Sequence, residues 1–217
     1  RGVSERKLDD VVIRAQAGDA QAFAELFRQH RSIVTGVAYR MLGPGADLDD
    51  VVQDVFLQVH RSLPDFRGQA KFTTWLHRVT VNVVLMTRRR ARSRPKYSHE
   101  EAARHEPTEE PSPDQVVARR RRVETFRGLL DKLSDKKRTV FVLHELEGMP
   151  PAEIADVVEC PVLTVRTRLF YARKELAELM RNEPTLVGVA ELGQRKKRDE
   201  KRRQGKKTSK NESETEP

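Results

Sequence analysis

Residues 47–94, DLDDVVQDVFLQVHRSLPDFRGQAKFTTWLHRVTVNVVLMTRRRARSR, hold many of the groups in this chain able to bind something. Asp49, Asp50, Gln53 and Asp54 lie in the acidic opening. Asn82 and the guanidiniums of Arg88, Arg89, Arg90 and Arg92 lie in the basic close. Carboxylates spaced along a helix can hold a divalent cation or meet the surface of a protein partner. Clustered guanidiniums suit a phosphate backbone. A second group comes later: Leu163, Arg166, Thr167, Phe170, Tyr171 and Lys174 recur at helical spacing and so share one face. Arg can take guanine O6 and N7 bidentately, and Thr or Phe can meet a thymine methyl or a phosphate.

A catalytic use of these groups finds little support. The Asp49–Asp54 run is similar to a magnesium site of prenyl-transferring enzymes. However, no second aspartate cluster follows, and Asp49 points off the face shared by Asp50 and Asp54. The six histidines form no metal-ligand spacing such as HExxH. Cys160 is the one cysteine, which excludes an internal disulfide and any multi-cysteine zinc site. It is expected to be a small buried turn residue. No catalytic residue, metal or cofactor is expected.

The 217 residues carry a formal net charge of +9, so the first partner to consider is anionic, nucleic acid before membrane surface. No apolar run approaches the length of a membrane span. RGVSERKLDD lacks the apolar core of a signal peptide, so a cytoplasmic location is expected. The chain starts at Arg1 and not at Met, so the true start is left open.

The elements that must position these groups are helical. Leu8, Val11, Val12 and Ala15 give a short stripe that Gly18 ends. Asp19 is placed to cap the next helix, which runs to Gly43. Leu48, Val51, Val52, Val55, Phe56 and Val59 follow a helical period behind Asp47, a second good cap. Pro64 breaks that pattern, Phe66-Arg67-Gly68 reads as a loop, and Phe72, Trp75, Leu76, Val79, Val83 and Met86 make the apolar side of a further helix. Trp75 sits within that stripe and is expected in the core. Residues 93–114 are rich in Pro, Ser and Glu and read as a linker. Roughly 20 extended residues reach about 70 Å, close to two turns of B-DNA at ~34–36 Å each. Beyond it, a short helix, a tight turn at Glu159-Cys160-Pro161 and a second helix match a helix-turn-helix, with Val162, Val165, Leu169, Ala172 and Leu176 on the core side. The expectation is an all-α chain: a helical domain over 1–92, a flexible linker over 93–114, a helical domain over 115–182, and a basic tail over 183–217.

DLDDVVQDVF, LPDFRGQAKFTTWLHRVTVN and EIADVVECPVLTVRTRLFYARKEL, in this order and flanking a polar linker, resemble the bacterial sigma factors of the extracytoplasmic-function group. The resemblance covers about residues 8 to 181 and implies their two helical domains, called regions 2 and 4. It implies a factor that binds core RNA polymerase, directs it to promoters and helps open the DNA. Asp50, Gln53 and Asp54 would dock on the clamp of the largest polymerase subunit, and region 4 would lean on the flap of the second-largest. Phe66 and Asn82 fall where relatives hold a flipped base of the −10 element. An aromatic can stack on such a base and an amide can read its edge, although Phe66 could equally close the hairpin and never meet DNA. Arg88, Arg89, Arg90 and Arg92 would follow the nearby phosphates. Arg166, Thr167, Phe170, Tyr171 and Lys174 would face the −35 element. An anti-sigma partner is common in the group and is expected here.

Some positions depart from the usual pattern. Glu159 stands where glycine is common, Leu163 where a small residue is usual, Pro150-Pro151 replace a frequent Ser-Tyr, and Tyr171 occupies an often basic site. No −35 consensus is therefore carried over. A plain helix-turn-helix regulator, the rival reading, leaves the acidic helix, the Phe66 loop and Asn82 without a role.

Overall fold

The computed structural model describes residues 10–43, 46–93 and 113–186, with the backbone alone for 113–116. Leu8, nearly all of the expected linker and most of the basic tail lie outside these residues. Eight helices are described: α1 Asp10–Gln16, α2 Ala20–Leu42, α3 Leu48–Ser62, α4 Phe72–Ser93, α5 Pro113–Lys132, α6 Asp135–Phe141, α7 Pro151–Val158 and α8 Val162–Arg181. No strand occurs among the described residues. None of the described helices is long and apolar enough to cross a membrane.

Local chemistry sets the boundaries. The Asp19 carboxylate accepts the N–H groups of Gln21 and Ala22 at 2.8 and 3.1 Å and starts α2. Asp47 accepts the N–H of Asp50 at 3.1 Å and starts α3. These bonds satisfy donors that the first turn of a helix leaves open. Pro64 turns the chain into a 3-10 step, Leu63–Asp65, before the Phe66 loop. Past α6 the chain widens into a π turn over Val142–Leu146, which ends at Gly148 in a left-handed conformation, φ 71°.

The described chain divides into two compact units, Arg1–Thr108 with Ser134–Ala172, and Glu109–Leu133 with Arg173–Pro217. In the first, α2, α3 and α4 pack together with α1 on α2. Its core joins Val12, Leu26, Val34, Val55, Phe56 and Leu76, among others, all nearly inaccessible. Among the described residues the expected stripes of α1 to α3 are buried or half-buried, but α4 differs. Met86 is 47% exposed, whereas Val81, Val84, Thr80 and Arg88 are buried. The reason is that α4 meets α2 and α3 on one side and α7 on another, so a single-face stripe does not describe it. In the second unit α5 lies on a 3-10 turn, Pro184–Leu186, with Leu129, Leu130, Leu133, Leu176 and Leu186 buried.

Asp19 gives the fold a testable acid sensitivity. Its carboxyl lies below the usual carboxylate range because the Ala22 N–H and the Arg14 guanidinium, 2.6 Å away, hold the charged form. A depressed folded pKa contributes stability that is complete above the unfolded value and is lost as pH falls through the folded one. Asp19→Ala is expected to lower Tm at neutral pH. It should also flatten the acid limb of a Tm-against-pH curve relative to the parent, as followed by far-UV circular dichroism.

Candidate nucleic-acid interface

A cleft of about 1050 Å³ opens between the C-terminal half of α3, the 63–71 loop and α4. Its position follows from the loop. Pro64 ends the helical course of α3, and the Gln16 side chain then donates to the Leu63 and Phe66 carbonyls at 3.1 and 2.7 Å. So fixed, Phe66 meets Trp75 and Phe72 with ring centroids 5.0 and 5.9 Å apart, and the three rings close the hairpin. Trp75, half-buried at the margin of the core, is also part of the cleft wall. Cations surround these rings: Arg61, Arg67, Arg78 and Arg90 all line the cleft, with Asn82 exposed among them. An aromatic floor ringed by guanidiniums, with the Asn82 amide open beside it, can take a base and its phosphates. Arg61, Arg67 and Arg78 were not singled out from the sequence. Arg61 and Arg67 stand apart from the arginine run and reach it only through the folding of α3 and the loop onto α4, whereas Arg78 lies on α4 itself, one turn before Asn82.

Two residues expected to face DNA are turned inward. Phe66 is only 7% exposed, because its ring is spent on Phe72 and Trp75. It lies at the floor of the cleft and is not a free stacking platform. Arg88 is 8% exposed. Its Nη1 donates to the Met41 carbonyl at 2.8 Å and its Nε to Asp135 at 3.1 Å. The cause is the end of α2, whose last carbonyls lack helical partners and attract cations. Arg138, 1% exposed, donates to the same oxygen at 3.2 Å. Arg92 reaches Asp135 at 3.0 Å, and Arg89 and Arg90 are exposed.

Helix α8 separates into the two faces its sequence suggests. Val165, Leu169, Ala172 and Leu176 are buried. Arg166, Thr167 and Lys174 are exposed, as are Leu163, Phe170 and Tyr171 at 73%, 62% and 51%. Three large apolar side chains left in water on one helix face, beside cations, need a surface to meet. The turn before α8 is tight. The N–H groups of Glu159 and Cys160 both point to the Ala155 carbonyl, and Glu159 adopts φ 49°, ψ 53°. That left-handed conformation costs a non-glycine residue about 1–2 kcal/mol. Cys160 is half-buried, more open than expected, with the Arg168 guanidinium 3.5 Å from its sulfur.

On α3, Asp50, Gln53 and Asp54 are all exposed, and Asp49 is paired with Arg31 at 2.9 Å. Asp54 borders the cleft. Gln53 instead borders a second, apolar groove of about 640 Å³, made by Phe23, Phe27, Val52, Phe56, Leu57 and His60. Leu57, 47% exposed and off the core stripe of α3, was the sequence signal for this groove. Among the described residues no group of three or more His, Cys, Asp or Glu is placed to hold a metal ion.

The cleft and the open face of α8 have groups suited to nucleic acid, and comparison with known proteins gives the class. The family models for Sigma-70 region 2 and Sigma-70 region 4 match residues 26–94 and 124–176. The sequence is 32% identical to the ECF RNA polymerase sigma-E factor of Escherichia coli over 182 residues, which is 80% of this chain and 95% of that protein. The chain belongs to the extracytoplasmic-function group of sigma factors. It is similarly related to the RNA polymerase sigma-H factor of Pseudomonas aeruginosa, 32% identical over 173 residues, 76% of this chain and 90% of that one. Among solved structures, CnrH in complex with the cytosolic domain of CnrY superposes with a TM-score of 0.60 at 29% identity, over 80% of this chain and 96% of that one. RpoE from Bartonella quintana, in complex with the anti-sigma factor NepR, shares the fold at a TM-score of 0.57 and 20% identity, over 76% of this chain and 99% of that one. As a sigma factor, the chain binds core RNA polymerase and directs promoter-specific initiation.

If the exposed groups serve recognition and not folding, their removal should leave stability intact. Asn82→Ala and Phe170→Ala are expected to stay within about 0.5 kcal/mol of the parent in urea unfolding. Leu169→Ala, from the buried face of α8, should lose about 2–5 kcal/mol.

Proposed function

We propose that this sigma factor reads the −10 element with the α3–α4 cleft and the −35 element with the exposed face of α8. The observation that carries the first half is the grouping of Asn82 with Arg61, Arg67, Arg78 and Arg90 over the Phe66–Phe72–Trp75 rings. A base turned out of the stack would rest against the Trp75 side of that floor. Asn82 would read its edge, and the guanidiniums, with Arg89 nearby, would hold the adjoining phosphates. Arg88 belongs to this group only if it leaves Met41 and Asp135. On α8, Arg166 would take a base edge in the major groove, while Thr167, Phe170, Tyr171 and Lys174 would supply apolar and phosphate contacts.

Asp50, Gln53 and Asp54 are the candidate contact with the clamp of the largest polymerase subunit. Their exposure, their charge and the adjacent Phe23–Phe27–Phe56–Leu57 groove support that assignment. The second module would lean on the flap of the second-largest subunit. The proposed functional boundaries are 1–92 and 115–182, joined by 93–114, with 183–217 as a basic extension; they differ from the two compact units, because 134–172 groups with the first. An anti-sigma factor is the further partner, as it is for RpoE of Bartonella quintana. The protein works in the cytoplasm and is no enzyme. It acts by spending binding energy on melted promoter DNA, which lowers the cost of opening for the polymerase that carries it.

Transcription with sigma-free core polymerase on a pool of genomic promoter fragments tests this reading. Discrete start sites are expected, and Arg166→Ala should weaken promoter binding by about 1–3 kcal/mol and relax one −35 position. Asn82→Ala should lower open-complex yield, and Arg90→Ala should reduce the salt slope of binding by about 1. No association with core, combined with tight duplex binding by the protein alone, would favour the plain regulator.

A further inference from the structure

Residues 134–172 lie in one compact unit with the helices that form the cleft, and five ion pairs between the two parts run the same way. Arg88 and Arg92 hold Asp135 at 3.1 and 3.0 Å, Lys71 holds Glu153 at 3.1 Å, Arg78 holds Glu159 at 2.5 Å, and Arg40 holds Glu147. In each, the cation comes from the α2–α4 part and the acid from the stretch that begins with α6. Ala155, Asp156 and Glu159 also form one wall of the cleft that contains Asn82. At Arg78, the one of these cations that lines the cleft, a carboxylate therefore stands where a phosphate of a bound strand would stand.

We infer that this acidic edge masks the strand-binding cleft in the free protein, with Glu159 as its latch. The inference rests on the reading of the cleft as the −10 site. Glu159 is the sharpest sign. The turn needs a left-handed residue, which glycine supplies without strain, yet here a glutamate holds φ 49° and its carboxylate reaches across to Arg78. A solvated glutamate would have no use for that cost. The pair at the cleft is largely exposed and so individually weak: Arg78 and Glu159 side chains are 43% and 62% accessible. Weakness suits a latch. Closure by several small terms can be undone when the polymerase separates the two parts, whereas a free chain stays masked. The apparent affinity of the free protein for a strand is then reduced by the fraction that is open.

Two readouts on the full-length protein test the mask. Trp75 is the only tryptophan and lines the cleft, so acrylamide quenching of its fluorescence reports cover without DNA. Fluorescence anisotropy with a single-stranded oligonucleotide carrying the mapped −10 sequence reports binding. Glu159→Gln removes the charge and keeps the geometry. Glu159→Gly removes the charge and relieves the turn, which guards against a folding artefact. Relative to Glu178→Gln, an equal change of charge on an exposed residue of α8, strand affinity should rise about threefold for either variant and about tenfold for Glu153→Gln/Glu159→Gln. Trp75 quenching should rise in parallel. Affinities equal to the Glu178→Gln control, or unchanged quenching, overturn the latch. Capture of the same strand by wild-type protein assembled with core polymerase checks the underlying reading separately. Capture with no effect of the Glu159 variants sinks the latch alone, and no capture sinks the −10 reading together with the mask built on it.

Discussion

The Met41 carbonyl is the point on which the first unit depends. It lies at the C-terminal end of α2, where helical geometry leaves backbone acceptors without donors and the helix dipole concentrates negative charge. Arg88 of α4 and Arg138 of α6 both donate to it, from 47 and 97 residues away in the chain. Two guanidiniums brought so close to each other and out of water require compensation, and Asp135 supplies it to Arg88. Removing one member of such a buried arrangement leaves a charge that water no longer solvates, a loss of about 3–5 kcal/mol where burial is complete. The α6 segment is therefore held to the α2–α4 bundle by polar groups that are expensive to separate singly.

That node decides what remains available for DNA. An arginine run on a helix offers several directions, and α4 uses them differently: Arg88 inward to Met41, Arg92 to Asp135, Arg89 and Arg90 outward. The cleft is assembled with the same economy. Gln16, from the first helix, ties down two carbonyls of a loop that would otherwise have few fixed neighbours. Phe66 gains position by giving up exposure to Phe72 and Trp75. A rigid aromatic floor with an open amide above it is better organised for a base than three loose rings, because less side-chain freedom remains to be lost on binding.

Most of the helical frame was legible in the sequence, for physical reasons. Asp19 and Asp47 cap because their carboxylates reach donors two or three residues on, a purely local event. The two faces of α8 follow from its period alone. What escaped was non-local. No pattern within residues 47–94 could say that Arg88 would be needed by Met41, since Arg138 and Asp135 lie beyond the linker. Nor could it say that Arg61 and Arg67 would converge on Asn82, although Arg78, one turn earlier on α4, shares its face by period alone. Met86 was assigned to the core because a stripe assumes one partner surface, and α4 has two. The departure at Glu159 was visible, but its meaning lay in a torsion angle and in Arg78, neither of which the sequence displays.

Regulation by closure has to be marginal to be useful. A seam made only of buried, fully paired charges would resist opening by any partner of ordinary affinity, and one made only of solvated pairs would not close. Here the two kinds are graded along the seam. Arg88 with Asp135, 9% and 24% accessible, lies at the buried end, while Arg78 with Glu159 lies in water at the edge of the cleft. An approaching strand or polymerase surface meets the weak end first and competes for Arg78 and Lys71 with phosphate or carboxylate of its own. Each pair so displaced exposes more of α4 before the buried node must yield. By linkage, whatever binds the open arrangement more tightly also favours every later step of opening, so polymerase and promoter reinforce one another without any contact between their own sites on this chain.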